Sequence, residues 1–402
     1  MTYDFENVID RSKLGSSKWT DMKKKNPEVP DGIVPFSVAD MELKNAPQIM
    51  EGLRAYLDAD QMSLGYTSPT DDYNAAVKDW MKRRHNWDVD MAWNVLSPGV
   101  VPAFFHAVRA FSAPGDGVIL FSPVYYPFKM AIETNKRTVV DVPLLDRGMH
   151  YEIDWARFEA AAREPANKLL LFCSPHNPVG RVWTTGELER LSRICITNNV
   201  LVLSDEIHND LIMPGFRHTV YATVSKEAEQ NCLVFTAPSK TFSLAGLQTS
   251  NIFVPNEALR QRFFDEMFTS ALFTLNAVGY KACEIAYTQC EDWLDQAIAL
   301  IAENARLTEA FMAEKLPQIK VYPLEGTYLQ WWDCRELFSD YKEMETFMQQ
   351  KACLFLDEGY MFGETGQGFE RINLACPTRV LHEALKRLYH ALSAHGLKDG
   401  KR

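Results

Sequence analysis

From about residue 90 onward, short β-branched apolar runs alternate with longer stretches whose apolar residues recur at helical spacing, the pattern of an α/β domain. Val118-Ile119-Leu120-Phe121, Leu169-Leu170-Leu171-Phe172, Val200-Leu201-Val202-Leu203 and Leu233-Val234-Phe235 are apolar at every position. Strands buried on both faces read this way, so the runs predict a mostly parallel sheet covered by helices. Asn251-Ile252-Phe253-Val254 predicts one more strand, with the antiparallel direction open to it. Residues 103–111 predict an apolar helix with Pro102 at its first position and Gly99 just before it.

Beyond about residue 290 the pattern changes. Residues 297–315 read as a long amphipathic helix, and Val321-Tyr322-Pro323 with Tyr328-Leu329-Gln330-Trp331-Trp332 predicts a hairpin-like pair around Glu325-Gly326-Thr327. A strand is expected at Phe369-Glu370-Arg371-Ile372-Asn373-Leu374. We therefore expect a large domain over residues 51–290, a smaller α+β domain over 291–402, and a segment, 1–50, that joins the small domain.

Each apolar run is followed at once by polar or conformationally special residues. The four continuations are Ser122-Pro123-Val124-Tyr125-Tyr126-Pro127, Ser174-Pro175-His176-Asn177-Pro178-Val179-Gly180, Ser204-Asp205-Glu206-Ile207-His208 and Ala237-Pro238-Ser239-Lys240-Thr241. In an open parallel sheet the C-terminal strand ends meet at one crevice, where ligands bind. Four such clusters at four strand ends point to a single site.

Composition narrows the class of ligand. The 402 residues carry 42 Lys and Arg against 53 Asp and Glu, a net charge of −11, which argues against a nucleic-acid or anionic-membrane partner. The one basic cluster, Lys23-Lys24-Lys25, reads as a solvated face. Only the polar tail at 397–402 is expected to be disordered. The first residues lack a secretory pattern, and no apolar run is long enough to span a bilayer. Eight scattered cysteines without a Cys-x-x-Cys pair suit reduced, mostly buried thiols in a cytosolic protein and give no metal site.

Lys240 follows an apolar strand, where loss of water lowers an ammonium pKa and frees an amine to attack a carbonyl. Pyridoxal phosphate (PLP) is the best-known use of such a lysine, and it asks for three further things. One is an acid at the pyridine nitrogen; Asp205 suits that role or a helix cap. Another is a phosphate cradle, offered by the helix start at Ser97-Pro98-Gly99-Val100-Val101-Pro102 with the Ser239 hydroxyl, although a plain helix start has the same wording. The last is a flat group against the ring, for which Tyr125 and Tyr126 are candidates, with Ile207 on the other face. Asn177 suits an amide donor to the cofactor phenolate and also a turn residue. His208 reads as a group near that phenolate or as a structural histidine. Arg371, inside an apolar strand, suits a bidentate clamp for a substrate carboxylate or a structural ion pair.

Taken together, these segments resemble the fold-type-I PLP enzymes of the aspartate-aminotransferase-like superfamily, from the N-terminus nearly to residue 390. Ser174-Pro175-His176-Asn177-Pro178-Val179-Gly180-Arg181-Val182-Trp183, Ser204-Asp205-Glu206-Ile207-His208 and Ala237-Pro238-Ser239-Lys240-Thr241-Phe242 are similar to the MalY/PatB group of carbon–sulfur β-lyases. Ser37-Val38-Ala39-Asp40-Met41 and Pro123-Val124-Tyr125-Tyr126-Pro127-Phe128 fit that group as well. The resemblance implies an α/β fold with a mostly parallel central sheet and a smaller α+β domain, PLP as cofactor, and cleavage of cystathionine, cystine or cysteine conjugates.

It also implies roles: Lys240 as Schiff-base lysine and general base, Asp205 as pyridine partner, Asn177 as phenolate donor and Tyr125 as stacking ring. Val100, Val101 and Ser239 would cradle the phosphate, His208 would bind the cofactor, and Tyr126 would be catalytic together with Lys240, Asp205 and Tyr125. Arg371 and Ala39 would meet the substrate. Tyr66 would reach the phosphate of a neighbouring subunit, which implies a homodimer. Gln248, where most aminotransferases have an arginine, and His208, where many have a tyrosine, weaken the aminotransferase alternative. A PLP-binding regulatory protein is the second alternative. Asp40, Tyr126 and the loop at Phe362-Gly363 are expected to bear on substrate preference.

Overall fold

A computed structural model describes residues 3–60, 62–272 and 274–396; the polar tail at 397–402 lies outside the described residues. Strands β1 (Asn94–Ser97), β2 (Gly117–Leu120) and β3 (Thr138–Asp141) open the main sheet, and β4 (Leu145–Asp146) with β5 (Tyr151–Glu152) forms a small ribbon. The main sheet is completed by β6 (Asn167–Cys173), β7 (Leu201–Asp205), β8 (Cys232–Thr236) and β9 (Ser250–Phe253). A second sheet holds β10 (Lys320–Val321), β11 (Leu329–Asp333), β12 (Asp357–Glu358) and β13 (Phe369–Asn373).

The main sheet has the order β1-β9-β8-β7-β6-β2-β3. Its inner pairs are parallel, with Leu169 opposite Leu201 and Val202 opposite Cys232, while β9 runs against both β8 and β1. The fold is therefore a mixed, mostly parallel α/β sheet, and the antiparallel direction of β9 matters for the site. Because β9 is reversed, its beginning lies on the same edge as the ends of its neighbours.

Alternation along the strands explains why the runs are apolar throughout. Val118, Leu120, Leu169, Leu171, Leu203, Leu233 and Phe235 pack on one face against helix Val100–Phe111, through Ala103, Phe104, Ala107 and Val108. Ile119, Leu170, Phe172, Val202 and Val234 face the other way and join Trp80, Phe158, Leu191 and Tyr287. At roughly 1.5–3 kcal/mol for each large side chain removed from water, burial on both faces makes this sheet the rigid platform of the molecule.

In the second sheet β10 and β11 form the expected hairpin, with Val321 opposite Trp332. Strand β13 lies between β11 and β12, so Arg371 faces Trp331 on one side and Asp357 on the other. The N-terminal segment is tied to this region: Phe36 N–H donates to Phe355 at 2.8 Å, and Asn373 N–H donates to the Phe36 carbonyl at 2.9 Å.

Three local expectations need correction. The helix expected at 103–111 starts at Val100 with Gly99 as its N-cap, so Pro102 is its third residue rather than its first. Proline is harmless there because first-turn N–H groups have no intrahelical acceptor. The long helix expected at 297–315 is Glu291–Lys315, with Glu291 and Asp292 favourably placed in its first turn. Lys25 is not simply solvated; its Nζ sits 3.1 Å from Glu358 Oε1. Among the described residues, no helix is long and apolar enough to cross a membrane.

Candidate active site

Strand ends on one edge of the main sheet surround a cavity of about 210 Å³. Segments after β2, β6, β7 and β8 contribute Tyr125, Asn177, His208 and Lys240; the turn after β1 contributes Gly99, and the approach to β9 contributes Gln248 and Thr249. The second sheet closes it with Asp357 and Arg371, and the N-terminal segment with Val38 and Ala39.

Lys240 sits in a single helical turn, Pro238–Thr241, directly after β8, rather than at the strand's own end. Its Nζ donates to the Ala39 carbonyl at 2.7 Å. Burial pulls its pKa down from 10.5 to about 8, with Arg371 acting in the same direction and Asp40 and Asp205 against it. The turn is anchored from behind. Thr241 Oγ1 donates to Asp210 at 2.7 Å, and buried Asp210 also accepts from Trp80 Nε1 at 3.1 Å and meets His85 Nε2 at 2.8 Å.

Asp205 is the last residue of β7 and is buried. Its Oδ1 accepts from Ile207 N–H at 3.2 Å, so the local role is a tight turn and not the helix cap considered from sequence. Burial pushes its carboxyl up to about 7, against that hydrogen bond and the nearby Lys240. A buried acid in this condition gains most from a cationic N–H placed against it.

Asn177 and Arg371 meet. Arg371 Nη1 donates to Asn177 Oδ1 at 2.8 Å, which leaves the Asn177 amide N–H₂ as the donor side. The Asn177 carbonyl accepts from Tyr125 N–H at 3.2 Å, so one turn residue braces two walls. Arg371 Nη2 bonds to Asp357, and its guanidinium lies over the Phe362 ring at 4.7 Å. The two readings of Arg371 thus coexist: it is ion-paired and it lines the cavity.

Tyr125 and Tyr126 have ring centroids 5.4 Å apart, Tyr125 half-buried in the wall and Tyr126 at the mouth. Burial raises the Tyr125 phenol pKa, so it stays neutral. At the opposite end helix Val100–Phe111 begins. Its geometry leaves the N–H groups of Val100 and Val101 without intrahelical partners, and Pro102 has none to offer. Ser239, Gln248 and Ser250 line the same cavity as that helix start. Ala39 belongs to a strap, Val38-Ala39-Asp40, held by Asn373 Nδ2 at 2.9 Å from both the Val38 and Asp40 carbonyls and by Ser243 Oγ at 3.2 Å from Asp40 Oδ1.

The aminotransferase class I and II family model matches residues 32–388. The chain belongs to this family. Within the class I and II aminotransferases, cystathionine β-lyase PatB of Bacillus subtilis (strain 168) is 37% identical over 390 residues, 97% of this chain and 100% of that protein. Among solved structures, cystalysin from Treponema denticola, which contains a PLP cofactor, is 49% identical with a TM-score of 0.97, over 98% of this chain and 100% of that one. A PLP-bound C–S lyase from Staphylococcus hominis is 29% identical with a TM-score of 0.88, over 98% of each chain.

The walls of this aminotransferase-family site fit PLP. Two buried polar atoms in them, His208 Nδ1 and Ser250 Oγ, have no partner among the described residues. Burial together with Lys240 and Arg371 holds the His208 imidazole far below its ordinary pKa, hence neutral. The free amides at Val100 and Val101, in the same cavity as Ser239, suit a phosphate. Asp205 suits a pyridinium nitrogen, and Tyr125 and Ile207 both line the space a ring would occupy.

Every residue expected to meet the cofactor or substrate is thus brought together except Tyr66, which is fully exposed and absent from the cavity of its own chain; Asp40, Phe362 and Gly363, expected to bear on substrate preference, do not line it either. Sequence reading missed Asp357, Cys173 and Ser250. Asp357 had one available signal: it ends the apolar run Leu354-Phe355-Leu356, and a buried Arg371 needs a carboxylate.

Proposed function

We propose that this chain is a PLP-dependent carbon–sulfur β-lyase that cleaves cystathionine, cystine or cysteine S-conjugates to pyruvate, ammonia and a thiol. The observation that carries the reading is the convergence of a lysine with a lowered pKa, a buried acid and an arginine–asparagine pair on one cavity, in a chain close to cystathionine β-lyases.

When bound, PLP engages the substrate amine and withdraws electrons from its Cα. Arg371 binds the substrate α-carboxylate, with Asn177 fixing the guanidinium and turning its own amide toward the cofactor phenolate. Lys240, near neutrality, removes the Cα proton as general base. Asp205 holds a proton at the ring nitrogen, and Tyr125 and Ile207 keep the ring plane. Val100, Val101 and Ser239 grip the phosphate, and neutral His208 supports the phenolate side. The Ala39 carbonyl, 2.7 Å from Lys240 Nζ, keeps that amine aimed into the cavity. Loss of thiolate from Cβ leaves 2-aminoacrylate, and water converts it to pyruvate and ammonia.

The remaining organisation follows the same reading. Tyr66 and Leu64, both widely exposed, support a homodimer in which Tyr66 serves the phosphate end of the partner's site. The second sheet within 320–373 and the bonds of Phe36 to it support a division into 1–50, 51–290 and 291–402. Eight free cysteines, most of them buried, support a cytoplasmic location.

The deciding experiment supplies L-cystathionine without a keto acid and measures pyruvate, ammonia and thiol. Equal release over many turnovers is expected. Product only on addition of a keto acid would mean transamination, and no turnover would favour a binding protein.

A further inference from the structure

Arg371, the group proposed to hold the substrate carboxylate, already has an anion. Asp357 Oδ2 accepts from Arg371 Nη2 and, at 2.8 Å, from the Val38 N–H of the strap. Both side chains are largely buried, and both line the cavity. The aim of Arg371 does not depend on that charge, because Asn177 Oδ1 holds the other nitrogen and the Phe362 ring supports the guanidinium from its face. Nor does the strap need it, since a neutral amide oxygen accepts from Val38 N–H equally well. What the carboxylate adds, beyond geometry, is a negative charge where a second one must arrive.

We propose that Asp357 is an internal rival of the substrate: it neutralises Arg371 and so sets how weakly the enzyme holds an α-carboxylate. Two carboxylates at one guanidinium repel, and the repulsion acts equally on bound substrate and on bound product. Uniform binding of this kind lowers KM without raising kcat, so a residue that limits it leaves the chemical step untouched and speeds departure of a product carrying the same carboxylate. Asp357 acts through Arg371 and is a positioning residue, not a catalytic one. The inference rests on the β-lyase reading for the substrate, and on the geometry alone for the carboxylate.

The test compares the parent holoenzyme with Asp357→Asn, which keeps size and hydrogen bonding and removes the charge. L-Alanine, which has the carboxylate but no β leaving group, is titrated by the change in cofactor absorbance. KM and kcat are measured with L-cystathionine, and inhibition with S-ethylcysteamine, an amine lacking the carboxylate. L-Alanine Kd and L-cystathionine KM are expected to fall roughly tenfold, about 1.4 kcal/mol, with kcat not increased and S-ethylcysteamine inhibition unchanged. Unchanged or weaker binding of L-alanine would overturn the proposal, as would an equal change for S-ethylcysteamine, which marks a merely structural role. If Asp357→Asn is not recovered folded, Asp357→Ser carries the same comparison. Absence of lyase turnover in the parent would count against the β-lyase reading, while the L-alanine titration still decides Asp357.

Discussion

Replacing Lys240 by methionine should make the cofactor-free protein more stable. The folded chain holds this lysine at a pKa of about 8, against 10.5 for the free side chain. At 1.36 kcal/mol per pH unit, keeping it charged in the folded state costs about 3 kcal/mol. Methionine removes that cost, fills similar space and gives up the hydrogen bond to the Ala39 carbonyl, about 1 kcal/mol. A net gain of about 2 kcal/mol remains at pH 7. With an unfolding entropy near 2.1 cal/mol/K per residue, it raises Tm by roughly 2 °C for a chain of 402 residues. The size depends on pH, and the gain is used up near pH 10, where the lost hydrogen bond offsets what remains of it. Between pH 8 and 10.5 the unfolded parent binds a proton that the folded parent has released, so the parent gains stability as pH rises. The gap between variant and parent should therefore close over that interval. Thermal melts of both cofactor-stripped proteins at pH 7, 9 and 10 measure it. A variant no more stable than the parent at pH 7, or a gap that does not shrink with pH, would refute the account of Lys240 as a desolvated amine.

Asp205→Asn should lower kcat by roughly 10²–10³-fold by removing the anion opposite the ring nitrogen, read with L-cystathionine as pyruvate release. Asn177→Ala removes a 2.8 Å bond to Arg371 and should raise KM about tenfold, whereas an unchanged KM would dissociate Asn177 from carboxylate binding. Asp210→Ala leaves Trp80, His85 and Thr241 without their shared acceptor and should destabilise the fold by about 3–5 kcal/mol in urea titrations. Tyr66→Ala should leave Tm near the parental value while weakening PLP retention. Mixing it with Lys240→Ala should restore activity, at most about a quarter of parental, because half of random dimers carry one intact site; no recovery would argue against sharing across subunits.

Much of the site was legible in the chain because the parallel sheet converts sequence position into spatial convergence. Asp205, Asn177, Tyr125 and Lys240 each follow an apolar run, and ends of parallel strands lie on one edge. Gln248 and Ser250 obey the same logic only once β9 is known to be reversed, which its four residues, two polar and two apolar, do not reveal. Asp357 was hidden for a different reason. It meets Arg371 through antiparallel pairing of a two-residue strand, too short for a periodic signal. Pro102 misled the helix start because proline is equally compatible with all positions of a first turn. Tyr66 shows the limit of a single chain, since nothing within its own fold covers it.

The strap at Val38–Asp40 carries a consequence for how the protein is made. Its partners Asp357 and Asn373 lie more than 300 positions later, at separations of 319 and 335 residues. At about 5–20 residues per second, a ribosome needs roughly a quarter of a minute to a minute to deliver those partners after the strap has emerged. The main sheet can close around β2, β6, β7 and β8 well before then. The wall that carries Arg371 is therefore the last part of the site to be assembled during synthesis, and a nascent chain stalled before β13 holds its lysine without the arginine proposed to bring it a substrate.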